Sequence, residues 1–224
     1  MKKIALRNSR ISQRGFTLIE IAIVLVIIGA IFYGVLRSSA IISSAKAKDV
    51  IVIINELRTA TTYFKQRYGY LPGDLPAPAN YINVVPALAA GTGGTIGDGY
   101  IDGVVNANGT AAAAGSEVAQ APWQLYNAGF IGAINRSTPT SYLSTTYGPV
   151  QIVSAVTANG LVPGFTALGA NPTARNAILF FNLPCDVANE VDSKIDDGNL
   201  TTGTGLGSAP CLNTDPLPVY AVPL

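Results

Sequence analysis

Hydrophobic positions along this chain change rhythm twice. From Ile21 to Leu36 every residue is uncharged and nearly all are apolar, a run that with Phe16 to Ile19 before it is long enough to cross a bilayer as a helix. Beyond Arg37 the run becomes periodic. Val50, Ile53, Leu57, Ala60 and Phe64 recur at spacings of three and four, one face of a helix, while Lys46, Asp49, Glu56 and Lys65 lie mostly off that stripe. No proline occurs between Leu18 and Leu71, and Gly69 and Pro72 supply the stop. The pattern predicts one helix from about Thr17 to Tyr68, apolar all round in its first half and amphipathic in its second. The β-branched run Val50–Ile54 is poor by helix propensity, but the periodic face continues through it.

After Tyr68 the pattern loosens. Residues 68–78 read as extended and turn-rich, and Gly91 to Gly115 as a low-complexity loop of Gly, Ala, Thr and Asn. Ser116 to Ala128 reads as a helix stopped by Gly129, and Asp186 to Ile195 as a second, with Val187, Val191 and Ile195 on one face. Three β-branched or aromatic runs, Val150–Val156, Ala177–Phe181 and Val219–Val222, predict a small antiparallel sheet. Helices packed on one side of such a sheet make an α+β head.

The charges sharpen the reading of the N-terminus. Lys2, Lys3, Arg7, Arg10 and Arg14 precede the apolar run, with no acidic residue among them. Then comes Arg14-Gly15-Phe16-Thr17-Leu18-Ile19-Glu20. A carboxylate at the start of a membrane-length run costs about 2.5–3.5 kcal/mol even on lenient insertion scales. A secretory signal is cleaved after its apolar region. Here the plausible cut lies before it, so the charges would be removed and the apolar helix kept.

These residues resemble the prepilin signature of type IV pilins and type II secretion pseudopilins. The resemblance implies cleavage between Gly15 and Phe16 by a prepilin peptidase, N-methylation of Phe16, and a role in subunit assembly for Glu20. It implies a leader at 1–15, a long helix at 16–68 whose first half is transmembrane and later filament core, and a periplasmic or extracellular head at 69–224. The expected fold is the α+β ladle of pilins. The expected partners are other pilin or pseudopilin subunits, the peptidase and an inner-membrane assembly platform, with the chain in the inner membrane before assembly and in a pilus or pseudopilus after it. A buried Glu20 needs a partner charge, and the Phe16 amine of a neighbouring subunit would provide one. The alternative is an anchor glutamate at the membrane interface, reached by solvent. Many type IVa pilins carry a proline shortly after the apolar run. This chain has none there, though Gly29 and Gly34 could loosen the helix.

Export of the head bears on Cys185 and Cys211, the only cysteines. An oxidising compartment favours a disulfide, contributing about 3 kcal/mol by chain entropy; the alternative is two free buried thiols. The pilin resemblance points to the same C-terminal bridge.

Composition narrows the rest. Charged residues make up 12%, the formal net charge is +1, and histidine is absent. With the basic residues gathered in the leader, nucleic-acid binding has no electrostatic support. Without histidine, the commonest general base and zinc ligand are missing. No nucleophile elbow or phosphate loop occurs, so an enzyme is not expected, and no cofactor is required. Asp98 and Asp102, in Gly97–Gly103, are weak calcium candidates, because close carboxylates on glycine turns supply the oxygens calcium needs. Asp196 and Asp197 could complete such a site if the fold brought them near; otherwise Asp-Gly pairs make turns. Trp123 and Tyr126 suit either a core or a ligand face. The long glycine-rich loop leaves open a second function, a tip adhesin or ligand-binding module on a pilin stalk.

Overall fold

A computed structural model describes residues 15–83, 88–132, 142–165, 173–211 and 216–224, with backbone only at 36–40. The basic leader residues Lys2 to Arg14 lie outside the described residues. The chain divides into two units, one ending at Ile42 and the other starting at Ser43.

Helix α1 runs Leu18–Tyr68. In the first unit the large apolar side chains from Leu18 to Val35, and Ile41 and Ile42, are exposed among the described residues. In the second unit Ala47, Val50, Ile54, Leu57, Ala60 and Phe64 are buried. The stripe is the one expected from the spacing, with one change: Ile54 rather than Ile53 occupies the buried line, and Ile53 is half-buried. Helical geometry holds the Val50–Ile54 run despite its β-branched residues, because burial of one face outweighs propensity differences of a few tenths of a kcal/mol each. The helix closes at Gly69, whose amide donates to Lys65 O at 2.8 Å.

The sheet has five antiparallel strands in the order β1-β2-β3-β5-β4. They are β1 Leu143–Thr145, β2 Gly148–Ser154, β3 Asn176–Leu183, β4 Leu206–Gly207 and β5 Leu217–Pro223. In β3 consecutive residues from Asn176 to Phe181 are buried, as are Val150 to Ser154 in β2. Side chains alternate faces along a strand, so both faces of the central sheet are covered. The second half of α1 shares one hydrophobic core with these strands. Its flank is tied down by Arg58 Nη2, which donates to Pro223 O at 2.6 Å, and by Tyr147, whose hydroxyl donates to Asp49 at 3.3 Å.

Among the described residues the head also holds a 3-10 turn at Pro78–Asn80 and three shorter α-helices: α2 Glu117–Asn127, α3 Ala155–Leu161 and α4 Cys185–Ile195. Ser116 caps α2 by accepting from Ala119 N. At its end Gly129 N donates to Tyr126 O and Phe130 N to Leu125 O, a Schellman closure around the positive φ of Gly129. The expected strand Val150–Val156 stops early. Ser154 leaves the sheet as an N-cap, its hydroxyl accepting from Thr157 N at 3.4 Å, and Ala155 and Val156 open α3. The cap motif won over the β-branched run. Strands β1 and β4 are too short to show in the sequence pattern.

The Gly91–Gly115 segment is not free. Ile101, Val105 and Ala111 are buried, and isolated bridges join Thr92 to Ser116 and Val105 to Ala111. The α+β class expected from the sequence holds.

Candidate functional site

The apolar start of α1 is built around a reciprocal cap. Thr17 precedes the first helical residue, and its carbonyl accepts from Ile21 N at 3.3 Å. Its hydroxyl oxygen lies 3.3 Å from the Glu20 amide, which donates to it. Glu20 Oε2 in turn accepts from the Thr17 amide at 2.7 Å and from the Thr17 hydroxyl at 2.8 Å. This is a capping box, in which the third helical residue reaches back to the cap residue and two otherwise orphaned amides are satisfied. Glu20 therefore has a partner within its own chain. The Thr-x-x-Glu spacing before an apolar run was visible in the sequence as a helix-start signal; reading Glu20 only as a lone charge missed Thr17.

Gly15 and Phe16 lie just outside this helix. Phe16 is 83% exposed. A Cβ placed on Gly15 would meet nothing within 4 Å. Among the described residues nothing requires glycine there. Downstream, Leu18–Val35 has a mean hydropathy of 2.7 and none of it is buried.

In the head, the two cysteines are joined, Cys185 to Cys211, with Cα atoms 5.5 Å apart. The bridge ties the first residue of α4 to the segment after β4.

The Gly97–Gly103 loop is organised by protein groups. Asp74, itself buried, accepts from the amides of Gly97 and of Gly99, the latter at 2.9 Å. Asn176 accepts from Ile101 N at 2.9 Å and donates to Gly99 O at 3.0 Å. Asp98 accepts from Tyr100 N at 2.9 Å, a side-chain-capped turn. The Asp102 amide donates to Glu117 Oε2 at 2.7 Å. Glu117 is wholly buried, and its Oε1 has no hydrogen-bond partner among the described residues. Burial, aided by Asp74, Asp102 and Asp98 nearby, pushes its carboxyl up to about 7. Burial likewise raises Asp74, against the pull of the glycine amides. Sequence reading did not single out Glu117, because only the fold shows that a first-turn glutamate faces inward.

Asp98 and Asp102 do not gather with a third metal-ligating side chain among the described residues. Asp196 and Asp197 gather instead with Asp192, with one oxygen of each carboxylate within 4.8 Å of the others. Trp123 packs on the edge of the core and stacks on Tyr126, ring centroids 6.5 Å apart.

With this geometry in view, the N-terminus has a counterpart among known families. The prokaryotic N-terminal methylation motif matches residues 10–32, a stretch that holds Gly15, Phe16, Thr17 and Glu20. It is the leader signature of type IV pilins and pseudopilins, matched here over the start of the chain alone. Such a signature indicates a structural protein, and it implies processing by a prepilin peptidase and assembly with other pilin subunits. No curated protein and no solved structure matches the chain.

Proposed function

We propose that this protein is a structural subunit, of minor-pilin or pilin-like type, in a type IV pilus or a type II secretion pseudopilus. The leader 1–15 is removed between Gly15 and Phe16, Phe16 is N-methylated, and the helix from 16 holds the subunit in the inner membrane with the head at 69–224 outside the cytoplasm. Assembly then transfers the apolar half of α1 from lipid to neighbouring helices, and Glu20 meets the Phe16 amine of an adjacent subunit.

One observation carries this reading: the methylation motif at 10–32 overlaps an apolar helix segment, Leu18–Val35, none of which is buried among the described residues. About 25 cal/mol per Å² of apolar surface is available to whatever buries it. The alternative, a tip adhesin or ligand-binding module on a pilin stalk, rests on the long Gly91–Gly115 loop, which anchors Ile101, Val105 and Ala111 in the head and exposes residues 92–98 and 106–108.

The test separates charge from capping. Glutamine can take the glutamate's place in a capping box but carries no charge. Glu20→Gln therefore keeps the helix start and removes the charge, whereas Thr17→Ala removes the cap and keeps the charge. The ratio of subunit in sheared filaments to subunit in the inner membrane should fall sharply for Glu20→Gln and Glu20→Ala, and little for Thr17→Ala. A ratio unchanged in Glu20→Gln but lowered in Thr17→Ala would make Glu20 a helix cap and refute the charge pair. Mass spectrometry of the mature chain should show N-methylated Phe16 as its first residue; a chain beginning at Met1 would refute the processing.

A further inference from the structure

Where the second half of α1 passes the start of β3 and the end of β5, the head has an open groove of about 610 Å³. Arg58, Thr61, Lys65, Leu71, Arg175 and Leu224 line it, and all belong to the second unit. Arg58, Thr61, Thr62 and Lys65 are spaced three or four apart, so they share one face of the helix. Arg175 is brought to them by the fold. It precedes β3, and its carbonyl accepts from Ala155 N at 2.8 Å.

The three cations have no anion beside them. Among the described residues the one ion pair is Lys194 with Glu190. Arg58 donates through Nε and Nη2 to Pro223 O, at 3.1 and 2.6 Å. Arg175 donates through Nη1 to Asp98 O at 3.4 Å and sits over the Tyr100 ring. These bonds use only part of each guanidinium's donors, and their acceptors are neutral carbonyls. Burial also strips Arg58 of some of its water, which lowers its pKa from the ordinary value; a guanidinium stays charged in a protein all the same. The carboxylates of the adjoining recess, Asp74 and Asp98, accept instead from the amides of Gly97, Gly99 and Tyr100.

The second observation is Thr61. It is only 4% exposed, and its hydroxyl has no hydrogen-bond partner among the described residues. A buried hydroxyl left unpaired is destabilising. A helical threonine can satisfy it on the carbonyl one turn back, as Thr62 does on Arg58 O at 2.7 Å. Thr61, at the floor of the groove, does not. Cations from two elements beside a donor without an acceptor suit an oxyanion. A carboxylate carries one charge and is satisfied by one guanidinium fork. A phosphate monoester carries about −1.5 to −2 at neutral pH and offers several acceptor oxygens, which matches three cations and a hydroxyl. The groove is larger than a phosphate alone requires, and Leu71 and Leu224 give it apolar walls.

We propose that this groove binds the phosphate group of a small phosphate monoester. Arg58, Lys65 and Arg175 hold the phosphate, Thr61 donates to it from the floor, and the organic part lies against Leu71 and Leu224. The site does not depend on the filament reading.

The test uses the full chain in detergent, with phenyl phosphate and inorganic phosphate as probes. Calorimetry reads binding, and thermal unfolding is compared with sodium chloride at the same ionic strength. Both anions should bind and protect the head beyond chloride, phenyl phosphate more tightly because its ring meets the apolar walls. Lys65→Gln and Arg175→Gln should each weaken binding by about fivefold or more. Lys48→Gln makes the same charge change about 15 Å along α1 from Arg58 and should alter binding by less than about twofold. Thr61→Val should raise the melting temperature of the free protein and weaken binding. No heat of binding with either anion, and no protection beyond chloride, would overturn the proposal. Equal weakening by Lys48→Gln and Lys65→Gln would overturn it too, because the attraction would then be a diffuse effect of net charge. Equal affinity for the two anions would overturn the ester and assign the groove to free phosphate. The wild-type measurements decide the matter even if a variant fails to accumulate.

Discussion

Replacing Glu117 by glutamine should remove a pH dependence of the head. The Glu117 carboxyl is buried, bonded through Oε2 to the Asp102 amide, and faced by Asp74, Asp98 and Asp102, with no cation among the groups that shift it. Its pKa rises from 4.5 to about 7 in the folded chain. The folded state therefore holds a proton that the unfolded state has lost between these values, and stability falls as pH rises through the window. At 1.36 kcal/mol per pKa unit, the penalty grows to about 3 kcal/mol above pH 7 and vanishes below about pH 4.5. Glutamine mimics the protonated acid in shape and stays neutral. The assay is denaturant unfolding of the full chain in detergent, followed by fluorescence of Trp123, the sole tryptophan, which is in the same helix as Glu117. The quantity of interest is the difference between variant and wild type at each pH. Other raised carboxyls, such as Asp74, contribute mainly to both proteins and largely cancel. The variant should match wild type near pH 4.5 and exceed it progressively up to pH 7, then run parallel. A constant difference across the range would show that Glu117 does not change protonation on folding, and would refute the argument from burial.

Two further outcomes concern the head. Gly148→Ala places a Cβ 2.1 Å from Phe181 O at a φ of +146°, so it should destabilise by about 2 kcal/mol or more, read as a lowered unfolding midpoint; an unchanged midpoint would mean that the β1–β2 turn relaxes freely. Reduction of Cys185–Cys211, or the double serine variant, should cost about 3 kcal/mol and raise amide exchange in β5, while native protein should resist thiol labelling without reductant; ready labelling of both cysteines would contradict the bridge.

Much of this protein was written locally. The junction at Gly15–Phe16, the apolar run and the stripe on the second half of α1 are contiguous or recur at helical spacing, so they are legible without knowing what packs against what. The Thr17–Glu20 cap was equally local and could have been read from its spacing. The strand boundary at Ser154 was a contest between two local signals, in which the cap outweighed the β-branched run. The head's polar chemistry is of another kind. Asp74 grips amides that lie 23 and 25 residues further on, Tyr220 reaches back 28 residues to Asp192, and Glu117 is packed between Gly73 and Gly91 and bonded to the Asp102 amide. A carboxylate's protonation, and whether it caps a loop or gathers with others, depend on desolvation and on partners brought from distant parts of the chain. Those are set by tertiary packing, and no spacing in the sequence encodes them.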